Sequence, residues 1–99
     1  MRYIAHRGLF RGPDKQLENR PEQIMLALKN GYDAEIDLWV INSELYLGHD
    51  EPTYMINEDF INTPGFWIHA KNLAALRRLR GTGLNYFRSE EHTSELQSH

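Results

Sequence analysis

Asp33-Ala34-Glu35-Ile36-Asp37-Leu38-Trp39-Val40 alternates side chains of opposite character, and an extended strand is the conformation that sends such an alternation to two faces. Ala34, Ile36 and Leu38 share one face, while Glu35, Asp37 and Trp39 share the other. Just downstream, Asn42-Ser43 offers a turn into residues 45–49, the returning arm of a hairpin. Upstream, Asn19 with Glu22 three residues later is a capping-box variant, and Pro21 sits in the first turn. Ile24, Ala27 and Leu28 then recur at helical spacing until Gly31, which predicts a helix over residues 20–30. Tyr3-Ile4-Ala5-His6, short, apolar and stopped at Gly8, suits a buried first strand. Gly12, Pro13 and Asp14 make residues 9–18 a loop, and Pro52, Pro64 and Gly65 do the same for residues 50–65. Phe66-Trp67-Ile68-His69-Ala70-Lys71 reads as the next strand. Asn72 would cap a helix whose Leu73, Leu76 and Arg80 share a face and which Gly81 and Gly83 end. Residues 84–87 begin another strand. Strand, helix, strand, strand, helix, strand specifies an α/β fold with a mostly parallel sheet.

The polar face of the first quoted stretch carries the chemistry. Two carboxylates at i and i+2 on a strand point the same way. If that face is enclosed, they repel and lose hydration unless protons or a cation neutralise them. Hard oxygen ligands of this kind favour Mg2+ or Ca2+. Taken alone, the pair is more commonly a solvated acidic face. His6 falls at the end of the first strand, and His49 ends the hairpin arm; an imidazole titrates near neutrality and serves as general acid or base. Arg7 has the planar fork that matches a phosphate, and Gly8 lets the backbone turn tightly beside it. The ordinary alternative for Arg7 is a surface ion pair. Asn19 is explained by its capping position, and Asp50 would orient His49 or its loop. Trp39, Tyr46, Tyr54, Trp67 and Tyr86 read as core or rim.

In order along the chain, His6-Arg7-Gly8, Glu18-Asn19, Glu35-Ile36-Asp37 and His49-Asp50 resemble the start of the glycerophosphodiester phosphodiesterase family. The resemblance covers residues 3–50 closely and 66–87 more loosely. It implies the N-terminal part of a TIM (β/α)8 barrel of the phospholipase C-like phosphodiesterase type. It also implies a metal-dependent phosphoric diester hydrolase that cleaves glycerophosphodiesters to glycerol 3-phosphate and an alcohol. In that scheme Glu35 and Asp37 hold a divalent cation, Mg2+ or Ca2+. His6 and His49 transfer protons, and Arg7 and Lys71 bind the substrate phosphate. Glu18 matches the family's acid before asparagine, as metal ligand or neighbour of one; a residue complementing the helix dipole is the equal alternative. His69-Ala70-Lys71 departs from the pattern, because family members carry an acid where His69 stands. Imidazole still ligates metals, so His69 is a further candidate ligand, but it brings no charge. Two other readings remain open: a barrel that binds a phosphorylated ligand without cleaving it, and a phospholipase-type lyase that forms a cyclic phosphate.

The chain has 99 residues, 11 basic and 14 acidic, with a formal net charge of -3. Residues 88–99 resemble the in-frame translation of a sequencing-adapter oligonucleotide. We expect them to be a non-native, disordered tail, with residues 1–87 forming part of one phosphodiesterase domain. Without that tail the counts become 10 basic and 11 acidic, a net charge of -1. Such a balance gives no electrostatic footprint for nucleic acid. There is no cysteine, which excludes disulfides and thiolate metal sites. No signal peptide or membrane-spanning run is visible, so the expected location is cytoplasmic and the expected partner a small-molecule phosphodiester. A complete (β/α)8 barrel takes about 250 residues. The chain is therefore expected to supply three barrel strands and the start of a fourth, and to be inactive by itself. The sequence does not indicate an oligomeric state.

Overall fold

A computed structural model describes residues 3–9, 12 and 14–88. In chain order the elements are β1 (Ile4–His6), α1 (Pro21–Lys29), β2 (Asp33–Ile41), β3 (Glu44–Leu47), β4 (Tyr54–Ile56), α2 (Glu58–Ile61), β5 (Phe66–Ala70), α3 (Leu73–Leu79) and β6 (Tyr86–Arg88). The fold is α/β, as the alternation of elements requires. One mixed sheet runs in the order β4-β3-β2-β5-β6, with β1 also on β2. The pairs β1–β2, β2–β5 and β5–β6 are parallel, and the pairs β2–β3 and β3–β4 are antiparallel. One edge of β2 serves two neighbours, residues 33–35 pairing with β1 and residues 38–41 with β3, while the other edge pairs with β5. Among the described residues the sheet is open and no barrel closes.

The hairpin forms because Asn42 and Ser43 both take left-handed backbone, at φ 52° and 69°. A two-residue turn of that hand matches the twist of the strands it joins. Ile41 then faces Glu44, and Leu38 faces Leu47. The alternation of β2 sorts its side chains as expected. Ala34, Ile36, Leu38 and Val40 join Phe66, Ile68 and Ala70 of β5 in one buried core under α1 and α3. Glu35, Asp37, Trp67 and His69 occupy the opposite face at matched register positions, Glu35 beside Trp67 and Asp37 beside His69.

Three expectations need correction. Residues 50–65 are not all loop: β4 and the short helix α2 lie within them, the latter capped by Asn57, whose side chain accepts from the Phe60 N–H. Three- and four-residue elements are too short to show a period, but Asn57 followed by two acids is a readable helix start. The buried face of α3 is Ala75 and Leu79, with Leu73 57% exposed and Arg80 already extended. The rotation of α3 is set at its cap. Asn72 Oδ1 accepts from the N–H groups of both Ala75 and Val40, while its Nδ2 donates to the Val40 carbonyl. Finally, the α1 cap position is Arg20, with no side-chain capping bond. Asn19 is turned inward instead, where it is fully buried. Among the described residues no helix is long and apolar enough to cross a membrane. Arg88 closes β6, opposite Ala70. The rest of the expected tail, residues 89–99, lies outside the described residues, so its expected disorder does too.

Candidate functional site

The site is built where β1, β2 and β5 run side by side. Parallel pairing puts His6 opposite Glu35 and Asp37 opposite His69, so adjacent strands bring together groups 29 and 32 residues apart. His6 Nδ1 donates to Glu35 Oε1 at 2.9 Å, since an ionised carboxylate only accepts. His69 Nδ1 donates likewise to Asp37 Oδ1 at 3.0 Å and stands 3.9 Å from Glu35 Oε2.

The chain leaves β1 through a strained turn. Arg7 is left-handed at φ 56°, and Gly8 follows at φ 81°. A Cβ at Gly8 would come within 2.8 Å of Ile24 Cγ1, so both conformation and clearance demand glycine. The turn aims the Arg7 guanidinium back over the sheet. Its Nη1 donates to Glu18 Oε1 at 3.1 Å, its Nη2 donates to His49 Nε2 at 3.3 Å, and its Nε lies 3.6 Å from Asp37 Oδ2. Because arginine has no acceptor, His49 Nε2 must carry the lone pair and Nδ1 the proton. That Nδ1 lies 3.4 Å from Asp37 Oδ2, without hydrogen-bond alignment.

His49 is delivered by a tight corner after β3. The Gly48 N–H donates to the Asp37 carbonyl at 3.1 Å, and the Trp39 indole N–H donates to the Gly48 carbonyl at 2.7 Å. Trp39, read from sequence as rim material, therefore holds the histidine loop. Asp50 is largely exposed and 3.8 Å from His49 Nε2, so Arg7 and Asp37 orient the imidazole. Lys71 follows β5 directly, its N–H donating to the Leu38 carbonyl at 2.8 Å.

Asp37 is the centre of the cluster and only 1% exposed. Burial by itself would raise its pKa. Hydrogen bonds from His69 and Asn19, with the charges of His69 and Lys71, outweigh burial and hold the carboxyl below its ordinary value. Asn19 binds it at two points: Nδ2 donates to Asp37 Oδ2 at 2.9 Å, and Oδ1 accepts from the Asp37 N–H at 2.9 Å. Sequence reasoning missed this role. The signal was the adjacency of Asn19 to Glu18 within the motif, and the capping reading absorbed it.

Glu35, Asp37 and His69 each offer one ligand atom within 4.8 Å of the others. Two carboxylate oxygens and one imidazole nitrogen fit a divalent cation that keeps open positions for water or substrate. The Asp37 contact keeps the proton on His69 Nδ1; to ligate through that atom the ring would carry its proton on Nε2, which is buried without a hydrogen-bond partner. The ring itself is held flat against Phe87, with centroids 4.8 Å apart and planes 14° from parallel. Glu18 stands outside this group of ligands, paired with Arg7. A cleft of about 190 Å³ opens beside the cluster, with Glu18 and His49 in its wall and Lys15 and Tyr54 at its sides. No family model, no curated protein and no solved structure matches the chain.

Proposed function

We propose that this chain carries the N-terminal part of a (β/α)8 barrel phosphodiesterase of the glycerophosphodiester phosphodiesterase type. The observation that carries the reading is the convergence of Glu35, Asp37 and His69 within 4.8 Å, with Arg7 and His49 directly against Asp37. Four side chains, Glu35, His69, Arg7 and His49, meet around the buried Asp37 carboxylate. A structural ion-pair network would not require two histidines, an arginine and two acids to gather beside the C-terminal ends of β1 and β5, the edge where barrel enzymes place their chemistry.

Glu35, Asp37 and His69 would hold the cation, which when bound supplies charge neutralisation at the phosphoryl oxygens. Arg7 and Lys71 would bind those oxygens, and Arg7 would leave His49 to do so. His49 Nε2, already in its lone-pair form, would then accept the proton of the attacking hydroxyl. His6, hydrogen-bonded to Glu35, would return a proton to the alkoxide as the bond between phosphorus and the leaving alcohol breaks. The attacking oxygen belongs to water or to the substrate's own neighbouring hydroxyl, which separates the hydrolase from the cyclising lyase. With His69 among the candidate ligands, the departure from the family's acid leaves a usable donor set, and turnover separates this reading from a barrel that merely binds.

The test is glycerophosphodiester turnover by the full-length protein. We expect His6→Ala and His49→Ala each to lower kcat by at least about a hundredfold while the folded state persists. EDTA should silence the wild type, and Mg2+ or Ca2+ should restore it. Turnover unaffected by both substitutions and by chelation would sink the reading.

A further inference from the structure

The two oxygens of Asp37 have different surroundings. Oδ2 faces three N–H groups: Asn19 Nδ2 at 2.9 Å, His49 Nδ1 at 3.4 Å and Arg7 Nε at 3.6 Å. Oδ1 faces His69 Nδ1 at 3.0 Å, and through it the Glu35 carboxylate. A cation would meet three donors on the first side, whereas on the second it would need only the His69 proton moved from Nδ1 to Nε2, which leaves Nδ1 and Oδ1 both as ligand atoms. Asn19 is the residue that fixes this division. It is fully buried, left-handed at φ 60°, and anchored by its own N–H to the Arg7 carbonyl at 2.9 Å. Holding both the Asp37 backbone N–H and Oδ2, it sets the plane of the carboxylate and not only its place.

We propose that Asn19 is a positioning residue that makes Asp37 a one-oxygen ligand, and so tunes the cation site toward a small octahedral ion, Mg2+ or Mn2+, over Ca2+. The inference rests on the cation reading above and adds the selectivity and its cause. Ca2+ gathers six to eight oxygens and often takes both from one carboxylate, whereas Mg2+ takes six in near-ideal geometry and keeps waters. A carboxylate with one oxygen committed to the protein cannot chelate through both.

The experiment is Mn2+ binding to the full chain, read by the loss of the free-ion electron paramagnetic resonance signal, with Mg2+ and Ca2+ as competitors. The variant is Asn19→Gly, because glycine keeps the left-handed backbone and removes only the side chain. In the wild type, Mg2+ should displace Mn2+ at lower concentration than Ca2+ does. In the variant, Mn2+ affinity should fall about tenfold or more, and Ca2+ should gain on Mg2+ as Oδ2 is released. Wild-type affinity and selectivity in a folded variant would overturn the inference alone. An equal loss for all three ions would be loosening without selectivity and would also overturn it. A wild type with no saturable Mn2+ binding would overturn the cation site and the inference together. Should the variant fail to fold, the wild type decides: tighter Ca2+ than Mg2+ overturns the proposal, and the reverse supports it.

Discussion

Asp37 keeps its charge in a place that should discourage it. Burial raises its pKa, and the donors around it more than reverse the effect. The folded carboxyl therefore binds its proton less tightly than the unfolded one. Its contribution to stability is complete above the unfolded value, about pH 4, and is lost as pH falls through the lower folded value. In EDTA, the stability of the wild type to urea should fall below about pH 4 more steeply than that of Asp37→Asn. Parallel slopes would mean that the hydrogen bonds from His69 and Asn19 do not hold the charged form. The identities of the converging residues were readable beforehand, since Glu35, Asp37, His6, Arg7, His49 and His69 each stood out by type and spacing. Asn19 was not. Asparagine in Asn19-Arg20-Pro21-Glu22 looks the same whether it caps a helix or reaches a strand 18 residues away, and only the tertiary fold separates the two.

At the level of elements, the β2–β3 turn offers the cleanest test. Ser43 sits at φ 69° with a Cβ that this region disfavours. Asn-Gly is the preferred pair for such a turn. Ser43→Gly should stabilise the folded protein by about 0.5–1 kcal/mol, read as a higher urea midpoint at unchanged m. A lower midpoint would show that the Ser43 side chain makes a contact worth more than the strain. The long strands and helices were legible because their patterns run for several turns or pleats. β4 was not, because three residues cannot establish a period, and α2 was legible only in its start, Asn57 followed by two acids. The face of α3 was misjudged for another reason. Leu73 is the more apolar choice, but Asn72 is pinned to Val40 and rotates Ala75 and Leu79 onto the sheet.

For the whole molecule, the candidate ligands Glu35, Asp37 and His69 tie β2 to β5, and the loops before α1 and after β3 close over them. A cation held there stabilises the folded state alone. Thermal unfolding of the full-length protein should rise with Mg2+, by about 2.7 kcal/mol at a hundred times its Kd, and the rise should vanish in Asp37→Asn. A shift that persists in that variant would place the ion elsewhere. The α/β class and the mostly parallel centre of the sheet were legible from the order of elements. The β3–β4 edge was only half legible: β3 could be read as the returning hairpin arm, whereas nothing in the sequence pattern signalled β4.

Two asparagines grip β2 by its main chain, Asn19 at Asp37 and Asn72 at Val40. Alternation alone cannot fix how a strand lines up, because sliding it by two residues returns every side chain to its proper face. The main chain also repeats every two residues, so after such a slide each amide would meet an equivalent peptide. What the slide would lose is the Asp37 carboxylate, which Asn19 Nδ2 holds and which neither Glu35 nor Trp39 would replace. The alignment that sets Glu35 and Asp37 beside His6 and His69 is therefore marked by one side-chain bond reaching in from a loop.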